Sequence, residues 1–311
     1  MNLLIIGGSG FVGKSFIDGF NRGILKKFNL NKIYILSRKP SVLKKYKKLN
    51  LKNIKLIKGD IRHIKKLPNC KIIIFAADTS DTTYYKNKKK NFNFFVKLID
   101  NFCNVIKQRK KTKVLYLSSG SVYGNYPTHI KRISEKYNCK INHNVSNYKN
   151  MYSKIKLYSE SKISDLCQSG LSTSIARCFS FVGPWLPTNQ RYAIGNFILD
   201  GFKNNNINVK SKHKVIRSYM YVDDLVYWLV KIAINSNKKC PIYNVGSDEG
   251  VSLEILAKTI GEIFKKPVKT RKIKNKRIDN YVPNIGKAKK ALNLRINYDL
   301  KRSILSTIQY N

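Results

Sequence analysis

The chain has 311 residues and a formal net charge of +44, from 61 lysine and arginine residues against 17 acidic ones. A chain of this length can bury a large core, either as one domain or as two closely joined domains. No window approaches the roughly 20 apolar residues of a membrane span, and no basic segment with a long apolar stretch opens the chain. Membrane spanning and export are therefore not predicted, and we expect a cytoplasmic protein.

The positive charge is spread along the chain rather than concentrated. Lysine-rich runs lie at 44–48, 86–90, 107–113 and 265–276, among many asparagines and isoleucines. This spread is typical of a general compositional bias and does not favour nucleic-acid binding, although the same field would attract a small anionic substrate. The 6 cysteines include no Cys-x-x-Cys pair, which predicts free thiols and no metal site.

The first predicted element is a short apolar strand at 3–6, followed directly by Gly7-Gly8-Ser9-Gly10-Phe11-Val12-Gly13. This order predicts a strand, a phosphate-binding loop and a helix. Gly7 permits the tight turn after the strand, Gly10 lets the backbone approach a pyrophosphate, and Gly13 lets the helix pack closely on the strand. We therefore expect a dinucleotide to bind at this loop.

Short apolar runs alternate with helical patterns through the first half of the chain. The predicted strands are 3–6, 33–36, 54–57, 72–75, 114–117 and 174–178. Such alternation predicts an α/β fold with a doubly wound parallel sheet and helices on both faces, here over residues 1–178.

The second half predicts a smaller C-terminal α/β cap. Its predicted elements are a helix at 223–235 that opens with acidic residues, a strand at 242–245, a helix at 253–264 after Ser252, a linker-like run at 265–279 and a mostly helical segment from 284. We expect 214–244 to return to the first domain, and 179–213 with 245–311 to form the cap that binds substrate.

Hydroxyl side chains end the fifth predicted strand, in Ser118-Ser119-Gly120-Ser121. This is the carboxyl edge of the sheet, where ligands of doubly wound folds bind. Tyrosines followed four residues later by lysine begin at Tyr84, Tyr85, Tyr152, Tyr158 and Tyr227. The composition alone predicts roughly three such matches, so the pattern needs a further criterion.

Position along the chain supplies that criterion. On a helix the spacing puts phenol and ammonium on one face, where a phenol can move a proton while a nicotinamide moves a hydride. Lys156 as partner of Tyr152 leaves the helix about 13 residues, counted to Gln168, to cross back over the sheet. Lys162, the partner of Tyr158, would leave barely two turns. We therefore prefer Tyr152 with Lys156, and Tyr158 with Lys162 remains the alternative.

Several motifs occur in a fixed order over nearly the whole chain. They are the glycine loop, the serine strand up to Tyr123-Gly124, Tyr152 to Leu157 with Glu160, Arg177-Cys178-Phe179 through Val182-Gly183-Pro184, Arg217 to Leu225, Tyr243 to Ser247, and Tyr281-Val282-Pro283 with Ala288. Together they resemble the extended short-chain dehydrogenase/reductase superfamily, in its nucleotide-sugar epimerase/dehydratase branch. The resemblance implies a Rossmann sheet with a substrate cap, a nucleotide-diphosphate sugar as substrate and a homodimer.

The same resemblance implies a set of site residues. The catalytic residues are Ser119, Tyr152 and Lys156; the cofactor ligands are Gly7, Gly10, Phe11, Val12, Ser37, Arg38, Asp60, Ile61, Ala76, Ala77, Tyr152 and Lys156; the substrate ligands are Ser119, Ser121, Asn196 and Arg217.

Two departures from the family pattern carry information. Members that use NAD usually end the second strand in an acid that binds the ribose hydroxyls, whereas this strand ends in Ser37-Arg38. An acid would repel a 2′-phosphate, while serine and arginine bind one, so NADP(H) is preferred and NAD(H) remains possible.

Gly120 and Ser121 stand where 4,6-dehydratases carry an Asp-Glu pair that moves protons. Dehydration is therefore disfavoured.

The leading interpretation is an NADP(H)-dependent 4-ketoreductase of a nucleotide sugar, in deoxysugar synthesis for surface polysaccharide. A 4-epimerase with retained NAD is the first alternative. A catalytically idle family member that binds RNA through its basic surface is the second, and the intact Ser119, Tyr152 and Lys156 disfavour it.

Overall fold

A computed structural model describes residues 1–77, 88–139, 147–188, 192–273 and 275–310. The strands are β1 (Asn2–Ile6), β2 (Lys32–Ser37), β3 (Ile54–Lys58), β4 (Ile72–Phe75), β5 (Lys113–Ser119), β6 (Ser172–Cys178), β7 (Phe181–Val182), β8 (Ile207–Val209), β9 (His213–Arg217), β10 (Met220–Tyr221), β11 (Ile242–Val245), β12 (Val251–Ser252), β13 (Val268–Thr270) and β14 (Asn275–Tyr281). The helices are α1 (Phe11–Asn21), α2 (Lys88–Ile106), α3 (Asn147–Gln168), α4 (Ala193–Lys203), α5 (Val222–Ile234), α6 (Leu253–Phe264), α7 (Gly286–Leu292) and α8 (Leu300–Tyr310).

The large sheet has seven strands in the order β11-β6-β5-β4-β1-β2-β3. Every neighbouring pair in it is parallel. Its central strands are apolar on both faces, and all four residues of β4 are buried, because helices cover the sheet on either side. The predicted doubly wound α/β fold is confirmed, and the strands predicted at 72–75 and 242–245 have the predicted bounds.

The connections from β2 to β3 and from β3 to β4 differ from the prediction of alternating helices. A 3-10 helix, Pro40–Lys45, follows β2, and the described residues between β3 and β4 form turns and irregular backbone. Apart from Pro40, which opens the 3-10 helix, the buried apolar residues of the first connection are Leu43 and Leu49. Two such side chains are too few for the apolar stripe of a packed helix, so the chain crosses in a shorter form.

The region predicted as the cap contains two small sheets. β9 pairs with β12 and with β14, and β8 pairs with β13. The prediction of a linker at 265–279 was wrong, because β13 and most of β14 lie there. Most side chains of these strands are polar, and backbone pairing with β8 and β9 forms the strands. β9 pairs within one of these small sheets, and α5 packs against β4, β5 and β6 of the large sheet.

Two acids in the first turn of α5 join distant parts of the chain. Asp223 accepts hydrogen bonds from Arg22, the residue after α1, and from the Tyr298 hydroxyl. Asp224 accepts from the backbone and side chain of Asn297. Both carboxylates are buried and lie at the positive end of the helix dipole. No helix in the described ranges is both long and apolar enough to cross a membrane.

Candidate active site

The glycine loop between β1 and α1 has the geometry of a pyrophosphate site. Gly7 has a φ of +84°, and a Cβ there would lie 2.5 Å from the Ala77 backbone. A Cβ at Gly13 would lie 1.9 Å from the Gly8 carbonyl oxygen, whereas one at Gly10 would meet only the Gly7 oxygen, at 3.9 Å. Packing therefore requires glycine at 7 and 13, while Gly10 leaves open space at the N-terminus of α1. Open space beside backbone N–H groups at a helix N-terminus fits a dinucleotide pyrophosphate.

The other predicted loop residues surround this turn. Ala76 and Ala77 follow β4, and the Ala76 N–H donates to the Ile6 carbonyl at 2.8 Å. Phe11 and Val12 lie half-buried in the first turn of α1, and Ile61 is buried after β3. All five follow the carboxyl ends of strands of the large sheet, the edge at which a dinucleotide would extend.

The residues after β2 and β3 form a basic edge. Ser37 is 8% exposed, and its hydroxyl has no hydrogen-bond partner among the described residues. The Arg38 guanidinium carbon lies 5.9 Å from the centre of the Phe94 ring. The Asp60 carboxylate pairs with Arg62 at 2.6 Å, and hydrogen bonds from Arg62, with the charges of Arg62 and Arg38, hold the pKa of Asp60 below its usual range. The acid at this edge is thus already paired.

The predicted catalytic lysine reaches the strand that carries the serines. Lys156 is 3% exposed, and its Nζ donates to the Leu117 carbonyl of β5 at 2.7 Å. The same Nζ lies 5.6 Å from the centre of the Tyr152 ring. Ser153 donates to the Ser121 carbonyl at 2.7 Å, which fixes α3 against the loop after β5. The first turns of α3 therefore bring Tyr152 and Lys156 to the end of β5.

The alternative tyrosine has a different neighbourhood. The Tyr158 hydroxyl donates to the Asp100 carboxylate of α2 at 2.9 and 3.1 Å. Burial, the hydrogen bond and the Asp100 charge raise the pKa of Tyr158 to about 12. Its phenol is committed to joining α2 and α3, which favours the Tyr152 pair. Tyr227 packs on Phe28 beside α1, and Tyr84 and Tyr85 lie outside the described residues.

Ser119 ends β5 within reach of a phenol from the cap. Its Oγ accepts from the Ser121 N–H at 3.2 Å and lies 3.3 Å from the Tyr281 hydroxyl. The Tyr281 O–H also donates to the Cys178 carbonyl at 3.3 Å, and burial raises the pKa of this phenol. The motif Tyr281-Val282-Pro283 does not indicate the contact of Tyr281 with Ser119, because the two residues are 162 positions apart in the chain and have no local sequence signal.

Arg217 has anchors that the sequence did not indicate. Its Nη1 donates to the carbonyls of Ile216 and Asp279, both at 2.8 Å, and its Nη2 donates to the Asp279 carboxylate at 2.9 Å. A guanidinium has five N–H groups, and these bonds leave the Nε–H and one Nη2–H without a partner among the described residues. The guanidinium carbon lies 5.6 Å from the centre of the Tyr281 ring. Tyr281 therefore contacts both Arg217 and Ser119.

The other two predicted substrate residues lie in different places. The Ser121 hydroxyl is buried without a hydrogen-bond partner in the described part of the chain, on the loop that Ser153 holds. Asn196 lies half-buried on α4, whose packing neighbours include α6 and β8 of the cap. The structure thus groups Ser119, Ser121, Tyr152, Lys156 and Arg217 around the end of β5, and it leaves Asn196 among cap elements.

A buried ion pair holds the catalytic helix in place. Glu160 of α3 accepts from Arg177 of β6 at 3.0 and 2.7 Å, and it also accepts from the Ser118 hydroxyl. Both charged side chains are 7% exposed. The three bonds join α3 to β5 and β6 one turn after Lys156. No group of three or more His, Cys, Asp or Glu side chains that could hold a metal ion occurs within the described residues, and the six cysteines are free thiols.

A doubly wound parallel sheet with an open glycine loop before α1 is a dinucleotide-binding fold of the Rossmann type, and Lys156 of α3 reaches the strand that carries Ser119. Residues 3–246 match the family model described as the NAD dependent epimerase/dehydratase family. The chain belongs to this family, and the resemblance inferred from the motifs is confirmed.

Relatives and solved structures agree with this membership. UDP-glucuronic acid decarboxylase 6 of Arabidopsis thaliana is 26% identical over 295 residues, which cover 94% of this chain and 83% of the relative. The structure of MoeE5 in complex with UDP-glucose and NAD has a TM-score of 0.78 at 16% identity and covers 100% of this chain and 98% of that one. UDP-glucose 4-epimerase from Bifidobacterium longum, in complex with NAD+ and UDP, has a TM-score of 0.76 at 18% identity with the same coverage. At such identities the two structures establish the fold.

Proposed function

We propose that the chain is an NADP(H)-preferring 4-ketoreductase of a nucleotide-diphosphate sugar, acting in deoxysugar synthesis for surface polysaccharide. The observation that carries this proposal is the edge after β2, where the buried Ser37 hydroxyl has no hydrogen-bond partner in the part of the chain that the structure describes and Arg38 follows. Hydroxyl and guanidinium groups at this place favour a 2′-phosphate on the cofactor ribose.

The choice of cofactor bears on the type of reaction. An epimerase leaves its cofactor in the redox state in which it began, and so does a decarboxylase, the activity for which the Arabidopsis relative is named. Such an enzyme can therefore retain NAD. A net reductase must exchange its cofactor in each turnover and draws on NADPH. Preference for NADP(H) therefore supports a net reduction.

The residues at the end of β5 can perform this reduction. A bound nicotinamide cofactor supplies the hydride that reduces the C4 ketone of the sugar. Tyr152 gives its phenolic proton to the ketone oxygen, which becomes the C4 hydroxyl. Lys156, held by the Leu117 carbonyl, keeps its ammonium beside the Tyr152 ring. It would hold the ribose of a bound cofactor by hydrogen bonds. Ser119 orients the ketone by a hydrogen bond from its hydroxyl.

The loop after β5 disfavours a dehydratase. Position 120 is glycine and supplies no acid, and a Cβ there would lie 2.6 Å from the Phe179 ring, so a larger residue would require that ring to move. Ser121 supplies a hydroxyl, which is far too weak an acid or base to replace a carboxylic acid in water elimination. The proposed reduction needs no acid or base besides Tyr152.

A nucleotide diphosphate is the proposed anchor of the substrate. MoeE5 has been solved with UDP-glucose and with UDP-glucuronic acid, and the decarboxylase relative is named for the latter. Arg217 offers an Nε and Nη2 edge to a pyrophosphate, because Asp279 and two carbonyls hold the rest of its guanidinium. UDP is therefore the first probe to use.

Arg217→Lys is expected to weaken UDP binding by about 1.5–3 kcal/mol, the contribution of a hydrogen bond to a charged group, because an ammonium cannot form two parallel bonds in one plane. Titration calorimetry with UDP measures this loss, and NADPH binding should not change. Unaltered UDP affinity in the variant would remove Arg217 from the substrate site.

The wild-type protein is expected to bind NADPH more tightly than NADH, and Arg38→Asp should reverse the order, because a carboxylate repels the 2′-phosphate and accepts hydrogen bonds from a free ribose. Equilibrium titration followed by nicotinamide fluorescence measures both affinities. Equal affinities in the wild type would contradict the proposed preference.

Mass spectrometry of cofactor released from the denatured, freshly purified protein separates the proposal from its alternative. A reductase that exchanges its cofactor should carry little or none. Stoichiometric NAD that survives purification would favour a 4-epimerase and overturn the reductase.

A further inference from the structure

The basic edge contains a second arginine that the sequence did not single out. β2 and β3 are neighbours in register, with Ser37 opposite Lys58, and the Gly59 N–H donates to the Ser37 carbonyl at 3.0 Å. The residues that follow the two strands therefore lie side by side. Arg38 comes from the first strand, and Asp60 and Arg62 come from the second.

Both guanidinium groups lie near the same aromatic ring. The Arg62 guanidinium carbon lies 4.2 Å from the centre of the Phe94 ring, and that of Arg38 lies 5.9 Å from it. Phe94 belongs to α2, so a side chain from the helix layer supports arginines from two strand ends. Guanidinium groups stack on aromatic faces, which limits the conformations that they sample.

The charges and the buried hydroxyl both favour a phosphate. Asp60 is the acid paired within this group, and it binds Arg62 through Nε and Nη2. A guanidinium can hold a carboxylate on one edge and direct further N–H groups elsewhere. Two arginines against one aspartate leave a net positive charge. Ser37, more than nine-tenths buried and with no partner for its hydroxyl among the described residues, lies at the same strand end.

We propose that Arg62 is a second ligand of the 2′-phosphate, acting with Arg38 and Ser37, and that Phe94 and Asp60 hold its guanidinium in place. This inference rests on the proposed preference for NADP(H) and extends it to a residue on a different strand. Asp60 keeps Arg62 oriented in the absence of the phosphate, so the second positive group is in position before the cofactor arrives.

Adenosine 2′,5′-bisphosphate and adenosine 5′-monophosphate differ by the 2′-phosphate alone, and both bind without substrate or turnover. Titration calorimetry should give a wild-type preference for the bisphosphate. Arg62→Gln should lower bisphosphate affinity about tenfold or more, the loss expected for a hydrogen bond to a charged group, and leave 5′-monophosphate affinity within about twofold. Arg62→Lys keeps the charge and loses the planar guanidinium, so its bisphosphate affinity should lie between those of the wild type and Arg62→Gln.

Lys65→Gln is the matched control, because it removes one exposed positive charge three residues away. A similar loss of bisphosphate affinity in Lys65→Gln would mean that Arg62 acts only through the overall positive charge of the protein, and it would overturn the inference. An equal loss for both nucleotides in Arg62→Gln would make Arg62 a structural residue and also overturn it. If Arg38→Gln loses the bisphosphate preference and Arg62→Gln keeps it, the NADP(H) proposal stands and this inference fails. If the wild type has no preference, both fail.

Discussion

Tyr152→Phe is expected to lower the turnover number by on the order of two to four decades, since it removes the proton donor and leaves the ring in place. The expectation rests on the placement of Lys156, whose Nζ lies between the Leu117 carbonyl and the Tyr152 ring at the end of β5. Steady-state kinetics with a 4-keto nucleotide sugar and NADPH measures the loss, and UDP affinity should not change because the phenol does not contact the diphosphate in this account.

Tyr158→Phe is the control for that variant. It removes the same atom from the same helix, and the lost bond is the one to Asp100 on α2. Most of the activity should remain, with a modest loss of stability. If Tyr158→Phe abolished turnover and Tyr152→Phe retained it, the assignment of the catalytic pair would be reversed.

Glu160→Gln is expected to lower the free energy of unfolding by about 3–5 kcal/mol, because it leaves the Arg177 guanidinium buried without its counter-charge. The two side chains are equally buried, at 7% exposure, and their two bonds join α3 to β6. Denaturant unfolding with equal m-values for wild type and variant measures the change.

An exposed ion pair gives the matched comparison. Asp248 pairs with Lys289 at 3.2 Å, with 40% of the lysine side chain and 28% of the aspartate side chain exposed. Asp248→Asn should change the free energy of unfolding by at most about 1 kcal/mol. The double variant Glu160→Leu with Arg177→Met should recover much of the loss, since it removes both buried charges. Equal effects of Glu160→Gln and Asp248→Asn would contradict the role given to the buried pair.

Elements with a strong local pattern were predictable from the sequence. β4 is a run of four buried apolar residues, and α6 begins at Ser252, whose Oγ accepts from the Ile255 N–H at 3.2 Å. In both cases residues close in sequence decide the structure. β13 and β14 were missed because their polar side chains carry no alternating pattern, and their partners β8 and β9 lie more than fifty residues earlier in the chain.

The candidate site divides in the same way. The glycine loop and the spacing from Tyr152 to Lys156 are local, so the sequence indicated them. The contact of Tyr281 with Ser119, the anchoring of Arg217 by Asp279 and the stacking of Arg62 on Phe94 join distant segments. Spacing rules do not reach such contacts, because they depend on how strands and helices pack.

In a net reduction the hydride leaves the protein with the product, and this can be followed with an isotope label. The wild-type protein is incubated with NADPH deuterated at C4 of the nicotinamide and with a 4-keto nucleotide sugar, and the product is analysed by mass spectrometry and NMR. We expect one NADPH to be consumed for each product molecule formed, and one deuterium at C4 of the sugar. Interconversion of 4-hydroxy sugars without consumption of NADPH, and without label in the product, would contradict a net reduction.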